Sequence, residues 1–156
     1  MSDRAARLAS LGLALPDAPT PPGRYVSVYR HGDLCETAGH LPFVDGEMPI
    51  TGALGAALDV EAGRSAARIA TLNALSSMVS HLGGNLDRIV RIVKMRGYVT
   101  ATADFAEHHL VTNAASELIL DVFGTEAGAH VRASVGVPSL PFNGPVEIEI
   151  SALVRD

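Results

Sequence analysis

Hydrophobic and polar positions along the chain switch between a period near 3.6 and a period of 2, and the switches mark its elements. Ser2 is placed to cap a short amphipathic helix through Leu11, with Gly12 as its left-handed stop. Four prolines within residues 16–23 withhold backbone donors and define a linker arm. Two β-rich runs follow, Arg24–Arg30 and Leu34–Ala38, and the His31-Gly32-Asp33 turn between them predicts a hairpin. Asp45-Gly46 predicts a second, short edge hairpin within Phe43–Glu47. The strongest helical signal begins at a capping Asp59. Apolar residues then recur at Ala62, Ala66, Ile69, Leu72, Leu75, Val79 and Leu82 before Gly83-Gly84 ends the helix. Ile89–Val99 is β-branched and apolar on both faces over part of its length, which predicts a central strand. A second long helix is expected over 104–123, opened by Asp104, with Leu110, Ala114, Leu118 and Val122 on one face and Gly124 as its stop. His130–Val137 and Val146–Val154 read as strands. The second of these alternates Val146, Ile148, Ile150 and Ala152 against Glu147, Glu149 and Ser151.

The order ββ(β)αβαββ has too few helices to cover a sheet on both sides. It predicts an α+β fold, one sheet with its two main helices packed on one face. The strands carry Val and Ile on both sides, so the other face needs a cover, and further copies of the chain in a closed ring would supply it. Composition agrees: 47% of the 156 residues are hydrophobic and only 19% charged, below the usual ~25%. The length fits one domain of 23–156, preceded by the helix and Pro-rich arm of 1–22.

A net charge of −5 and no basic stripe disfavour a nucleic-acid partner, whose phosphates need neutralising. Cys35 is the lone cysteine, which excludes an internal disulfide and suits a reducing compartment. No apolar run approaches the ~18 residues of a membrane span. The expected location is cytoplasmic.

Phosphate-binding glycine loops and a serine nucleophile elbow are missing. The six histidines form no metal motif, since neighbours such as His108 and His109 point about 100° apart on a helix. No metal or cofactor is expected. Arg132 is the conspicuous residue, in a short strand otherwise made of apolar or small side chains. A guanidinium keeps its charge and needs an anionic partner there. That partner is either Glu147 or Glu149 from the next strand, or a ligand carboxylate gripped by the planar fork. Glu147 is correspondingly either a counter-ion or a group that holds water for attack.

Three blocks in order support a resemblance. They are Gly23-x-Tyr25 … Thr37-Ala38-Gly39-His40-Leu41-Pro42, then Asn113 on the second helix, then Arg132-x-x-Val135-x-Val137-x-x-Leu140-Pro141 … Val146-Glu147-Ile148-Glu149. From about Gly23 to Val154 the sequence resembles the RidA/YjgF family of small trimeric proteins. The resemblance implies a chorismate-mutase-like fold (bacillus type) in a homotrimer, with clefts between subunits. It implies hydrolysis of reactive enamine/imine intermediates of small 2-amino acids to 2-keto acids and ammonia. By position, Arg132 would grip the substrate carboxylate, Glu147 would activate water and Tyr25 would close the cleft from the neighbouring chain. Gly39, Ser134, Asn113 and His40 would complete the binding site.

The chain departs from the family pattern at Ala38, His40 and Ser134, by about two extra residues around Gly124–Gly128, and by its longer arm. These departures keep two other readings in view: a small-carboxylate-binding or regulatory trimer without turnover, and an endoribonuclease, which the acidic charge disfavours.

Overall fold

The computed structural model describes residues 3–156, so the expected Ser2 cap lies outside the described residues. The first helix, α1, spans Asp3–Ser10 and is followed by Gly12 at φ 71°. It is not a detached arm. Leu8 is buried, Leu13 and Leu15 pack on the core, and Arg4 donates to the carbonyls of Ile89 and Val90 while stacking 5.0 Å from the Phe123 ring.

The hairpin forms from β1 (Val28–His31) and β2 (Leu34–Thr37), turning at Gly32 with φ 59°. The predicted strand start at Arg24 is corrected to Val28. The Ala38 N–H to Ser27 carbonyl bond closes the ladder, and residues 24–26 have no strand to pair with. The edge hairpin is a single bridge between Val44 and Glu47, made possible by Asp45 and Gly46 at positive φ.

Helix α2 is Val60–His81, capped as expected by Asp59, whose carboxylate accepts from the Ala62 N–H. A cap of this kind contributes on the order of 1 kcal/mol. Its burial exceeds the predicted stripe. Ala66, Ala67, Ala70, Ala74, Leu75 and Met78 are fully buried, but the polar Thr71, Asn73, Ser76 and Ser77 are buried as well, while Ile69 and Leu72 are only half-buried. The arm explains the difference: Ser76 donates to the Pro16 carbonyl and Asn73 donates to the carbonyls of Leu41 and Phe43, so loops cover the helix's outer side.

Strands β3 (Ile89–Thr100), β4 (Val131–Val137) and β5 (Val146–Val154) complete one sheet in the order β1-β2-β5-β3-β4. The predicted central strand β3 is interior, antiparallel to β5 and parallel to β4. Helix α3 runs His108–Ala127, not from Asp104. The delay has a physical cause: Leu54 bonds to Thr100 and Thr102 as an added strand segment, and the chain needs the turn at Thr102–Phe105 before it can coil. At Gly124 the regular turns break (φ 79°, ψ 173°), but one further turn reaches Ala127.

The sheet has two unlike faces. Met95, Val99, Ile148 and Ile150 face α2 and α3 and are buried. Gly97 lets α3 approach: a Cβ there would lie 2.4 Å from the Thr112 methyl. The opposite face carries Arg96, Tyr98, Glu147 and Glu149 together with exposed Tyr29, Leu34, Val131, Val135 and Leu153.

Candidate functional site

Arg132 stands on β4, the edge strand, beside Met95 and therefore on the helix-covered face. Its Nη1 donates to Asn113 Oδ1 at 2.8 Å and to Ser116 Oγ at 3.2 Å, both on α3. Both partners are neutral. Among the described residues no carboxylate lies within ion-pair distance of Arg132. Glu149, one of the expected counter-ions, pairs with Arg96 at 3.3 Å on the other side of the sheet. Ser134, two residues on from Arg132, shares that helix-side row and hydrogen-bonds the Thr112 hydroxyl at 2.5 Å. Thr112 also reaches the carbonyls of His108 and His109, which can only accept. Arg132, Asn113 and Ser134 thus form one group, half-buried at the rim where α3 meets the sheet edge.

Glu147, Gly39, His40 and Tyr25 form a second group around a cavity of about 610 Å³. Residues 16–22 of the arm wall one side, and Phe43 and Phe142 lie across from it, edge to face with centroids 5.2 Å apart. The Glu147 carboxylate sits directly over Gly39, where a Cβ would lie 1.8 Å from Oε1. Only glycine allows that approach. Burial, reinforced by Glu149, pushes the Glu147 carboxyl above the usual carboxylate range. Tyr25 is half-exposed at the cavity wall.

His40 lines the same cavity, but its ring turns inward. Nδ1 lies 2.9 Å from the Ala38 carbonyl and Nε2 lies 2.8 Å from Ser77 Oγ. A carbonyl accepts only, so Nδ1 carries the proton and Nε2 accepts from Ser77. Both nitrogens are spent. Burial holds its pKa below the ordinary imidazole value, with the Ala38 bond opposing the shift. The backbone of His40 pairs with Ile148, so the residue fixes the Gly39 loop between β5 and α2.

The sequence therefore named two clusters, and one chain keeps them apart. Arg132 aligns with Met95, facing the helices, whereas Glu147 aligns with Tyr98, facing away from them. Several neighbours of these clusters escaped sequence reading: Asn73, Ser77, Ser116, His130, Phe142 and the wall formed by residues 16–22. Buried Ser and Asn within the apolar pattern of α2 were the available signal for two of them. A separate hollow of about 530 Å³ near Arg7, Arg91 and Gly124 contains none of the candidate residues. Among the described residues no group of three or more His, Cys, Asp or Glu is arranged to hold a metal ion. Among the described residues no helix is long and apolar enough to cross a membrane.

An α+β sheet with two helices on one face, an edge arginine and a strand-borne glutamate over a glycine define a recognisable class. Residues 5–152 match the family described as "YjgF/chorismate mutase-like, putative endoribonuclease". The chain belongs to this YjgF/RidA family. It is 44% identical to Protein TCP17 of Trypanosoma cruzi over 145 residues, which covers 93% of this chain and 90% of that protein. The crystal structure of Atu1372 from Agrobacterium tumefaciens, a protein of unknown function, superposes with a TM-score of 0.90 at 38% identity, covering 97% of this chain and 92% of that one. TdcF from E. coli, crystallised with bound serine, gives 0.63 at 26% identity over 89% of this chain and 94% of that one. The family expectation is met, and the fold is shared more fully with Atu1372 than with TdcF.

Proposed function

We propose that the protein hydrolyses reactive enamine/imine intermediates of small 2-amino acids to 2-keto acids and ammonia, at a site that two copies of the chain build together. The observation that carries this reading is Arg132: a half-buried guanidinium held by two neutral acceptors, with no carboxylate among the described residues to neutralise it. Family membership and the bound serine of TdcF, itself a small amino acid with a carboxylate, support the same ligand class.

In this reading the Arg132 edge of one copy faces the Glu147–Gly39–Tyr25 cavity of the next, in a trimer that covers the exposed apolar face of the sheet. An enamine first tautomerises to the imine. Arg132 grips the carboxylate and fixes C2 beside Glu147. The imine reacts in its protonated form: the Glu147 carboxylate takes a proton from a water as its oxygen bonds to C2 and the C=N π electrons move onto nitrogen, giving a neutral carbinolamine. Glu147 then returns that proton to nitrogen, and the C–N bond breaks as the hydroxyl proton passes to Glu147 and its oxygen becomes the carbonyl of the 2-keto acid. The departing ammonia takes the proton from Glu147 and leaves as ammonium. The imine is already electrophilic, so orientation supplies most of the acceleration and no cofactor is required. Tyr25 shields the cavity mouth, and the Gly39 and Ser134 backbones offer polar groups at its edges.

The test generates 2-aminoacrylate from serine in situ and follows keto-acid release by the wild type and by Arg132→Ala. The wild type accelerates release, and the variant loses about thirtyfold or more in kcat/KM, the worth of a charge-assisted bidentate pair. Rates equal to buffer overturn the reading. Saturable binding of 2-keto acids without turnover would instead favour a carboxylate-binding trimer.

A further inference from the structure

Beside Arg132 lies a hydrogen-bond chain whose direction can be worked out atom by atom. His130 Nδ1 is 2.6 Å from the Gly128 carbonyl, which only accepts, so this nitrogen carries a proton. In the neutral ring Nε2 is then an acceptor, and it lies 3.0 Å from Ser116 Oγ. Ser116 therefore gives its one proton to His130 and turns its lone pairs to Arg132 Nη1, 3.2 Å away. Asn113 Oδ1 takes the other Nη1 hydrogen at 2.8 Å. Both Nη1 hydrogens are spent within the chain.

We propose that His130, acting through Ser116, is a positioning residue that decides which edge of Arg132 meets a ligand. With Nη1 occupied, Nε–H and an Nη2–H remain as a parallel pair, the side-on fork for a carboxylate. Without the imidazole acceptor, the Ser116 hydroxyl is free to swing back to a carbonyl of its own helix, as serines in helices commonly do, and the guanidinium loses one of its two anchors. The local fold is built for the arrangement. Gly124 breaks α3 and the extra turn brings the Gly128 carbonyl under His130. Position 128 admits only glycine, since a Cβ would lie 2.6 Å from the Gly124 carbonyl oxygen.

The inference rests on the proposed role of Arg132 for its consequence, but its geometry is testable without any ligand. Long-range ¹⁵N–¹H spectra at neutral pH, with His130 assigned by comparison with His130→Gln, are expected to show the Nδ1–H tautomer. An Nε2–H tautomer overturns the proposal. Separate, slowly exchanging Nη1 signals of Arg132 are expected in the wild type and in His130→Gln, whose amide oxygen can still accept from Ser116, and not in His130→Leu. Equal signals in all three overturn it, even if the protein hydrolyses no imine. Titration with 2-oxobutanoate gives the functional arm. His130→Leu and Ser116→Ala weaken binding about five- to tenfold, as expected for the net contribution of one intramolecular hydrogen bond. They raise KM with kcat within about twofold, and His130→Gln recovers most of the loss. Affinities unchanged in both variants, at wild-type melting temperature, contradict the proposal.

Discussion

Arg132 and Glu147 occupy opposite faces of one sheet: the strand register sets Arg132 beside buried Met95 and Glu147 beside Tyr98 on the uncovered side. Side chains alternate faces with a period of two, so no rotamer brings these residues together within a chain. A site that uses both requires a second copy. The exposed Tyr29, Leu34, Val131, Val135 and Leu153 on the uncovered face supply apolar surface for such an assembly.

Replacing Glu147 separates catalysis from stability. Glu147→Gln keeps the shape over Gly39 but removes the proton acceptor, and kcat falls about 10²- to 10⁴-fold. Because the folded carboxyl has a raised pKa, its contribution to stability is fully present below the ordinary glutamate range and is lost as pH rises through the raised value. The amide suffers no such loss. Thermal melts at pH 4 and pH 8 therefore show the variant gaining on the wild type at the higher pH. A gap that does not change with pH contradicts the burial argument.

Gly39→Ala tests the close approach. The new methyl occupies the position of the Glu147 carboxylate, which is the movable end of a side chain, so the fold survives and the carboxylate is displaced. A misplacement of about 1 Å is worth up to ~10²-fold in rate. Steady-state kinetics are expected to show kcat/KM down at least tenfold, with the far-ultraviolet spectrum unchanged. Full activity in this variant would show that Glu147 does not act from the position described.

His40 gives a pH dependence of opposite sign. Its folded pKa is depressed, so its contribution is present above the ordinary imidazole value and is lost as pH falls through the depressed one. Wild-type melting temperature drops between pH 7 and pH 5. His40→Gln retains an acceptor for Ser77 and shows a smaller drop. Identical pH profiles for the two proteins count against His40 as a buried neutral strut.

Much of this architecture was legible along the chain. Strand β5 is recovered residue for residue because Val146–Val154 alternates cleanly, and α2 because Asp59 and Gly83-Gly84 mark its ends with local chemistry. The inward face of α2 was less legible, since whether Asn73 and Ser76 are buried depends on the arm and the 41–43 loop returning over them. The start of α3 was misread because Leu54, nearly fifty residues earlier, holds the chain extended beyond Thr100. Arg132 and Glu147 were recognisable by residue type and motif. Their separation onto two faces was not, because parity across the sheet depends on registers that local patterns do not encode. The Ser116–His130 chain depends on the break at Gly124, which the sequence read only as a stop.

Subunit complementation tests the shared site directly. Arg132→Ala and Glu147→Gln chains, each inactive alone, are co-expressed with different tags and the mixed oligomers are isolated. If Arg132 of one copy works with Glu147 of the next around a trimer, each isolated mixed trimer holds one intact site of three whichever chain is in the majority, and about one third of wild-type activity returns. Mixed oligomers no more active than either parent would contradict the account.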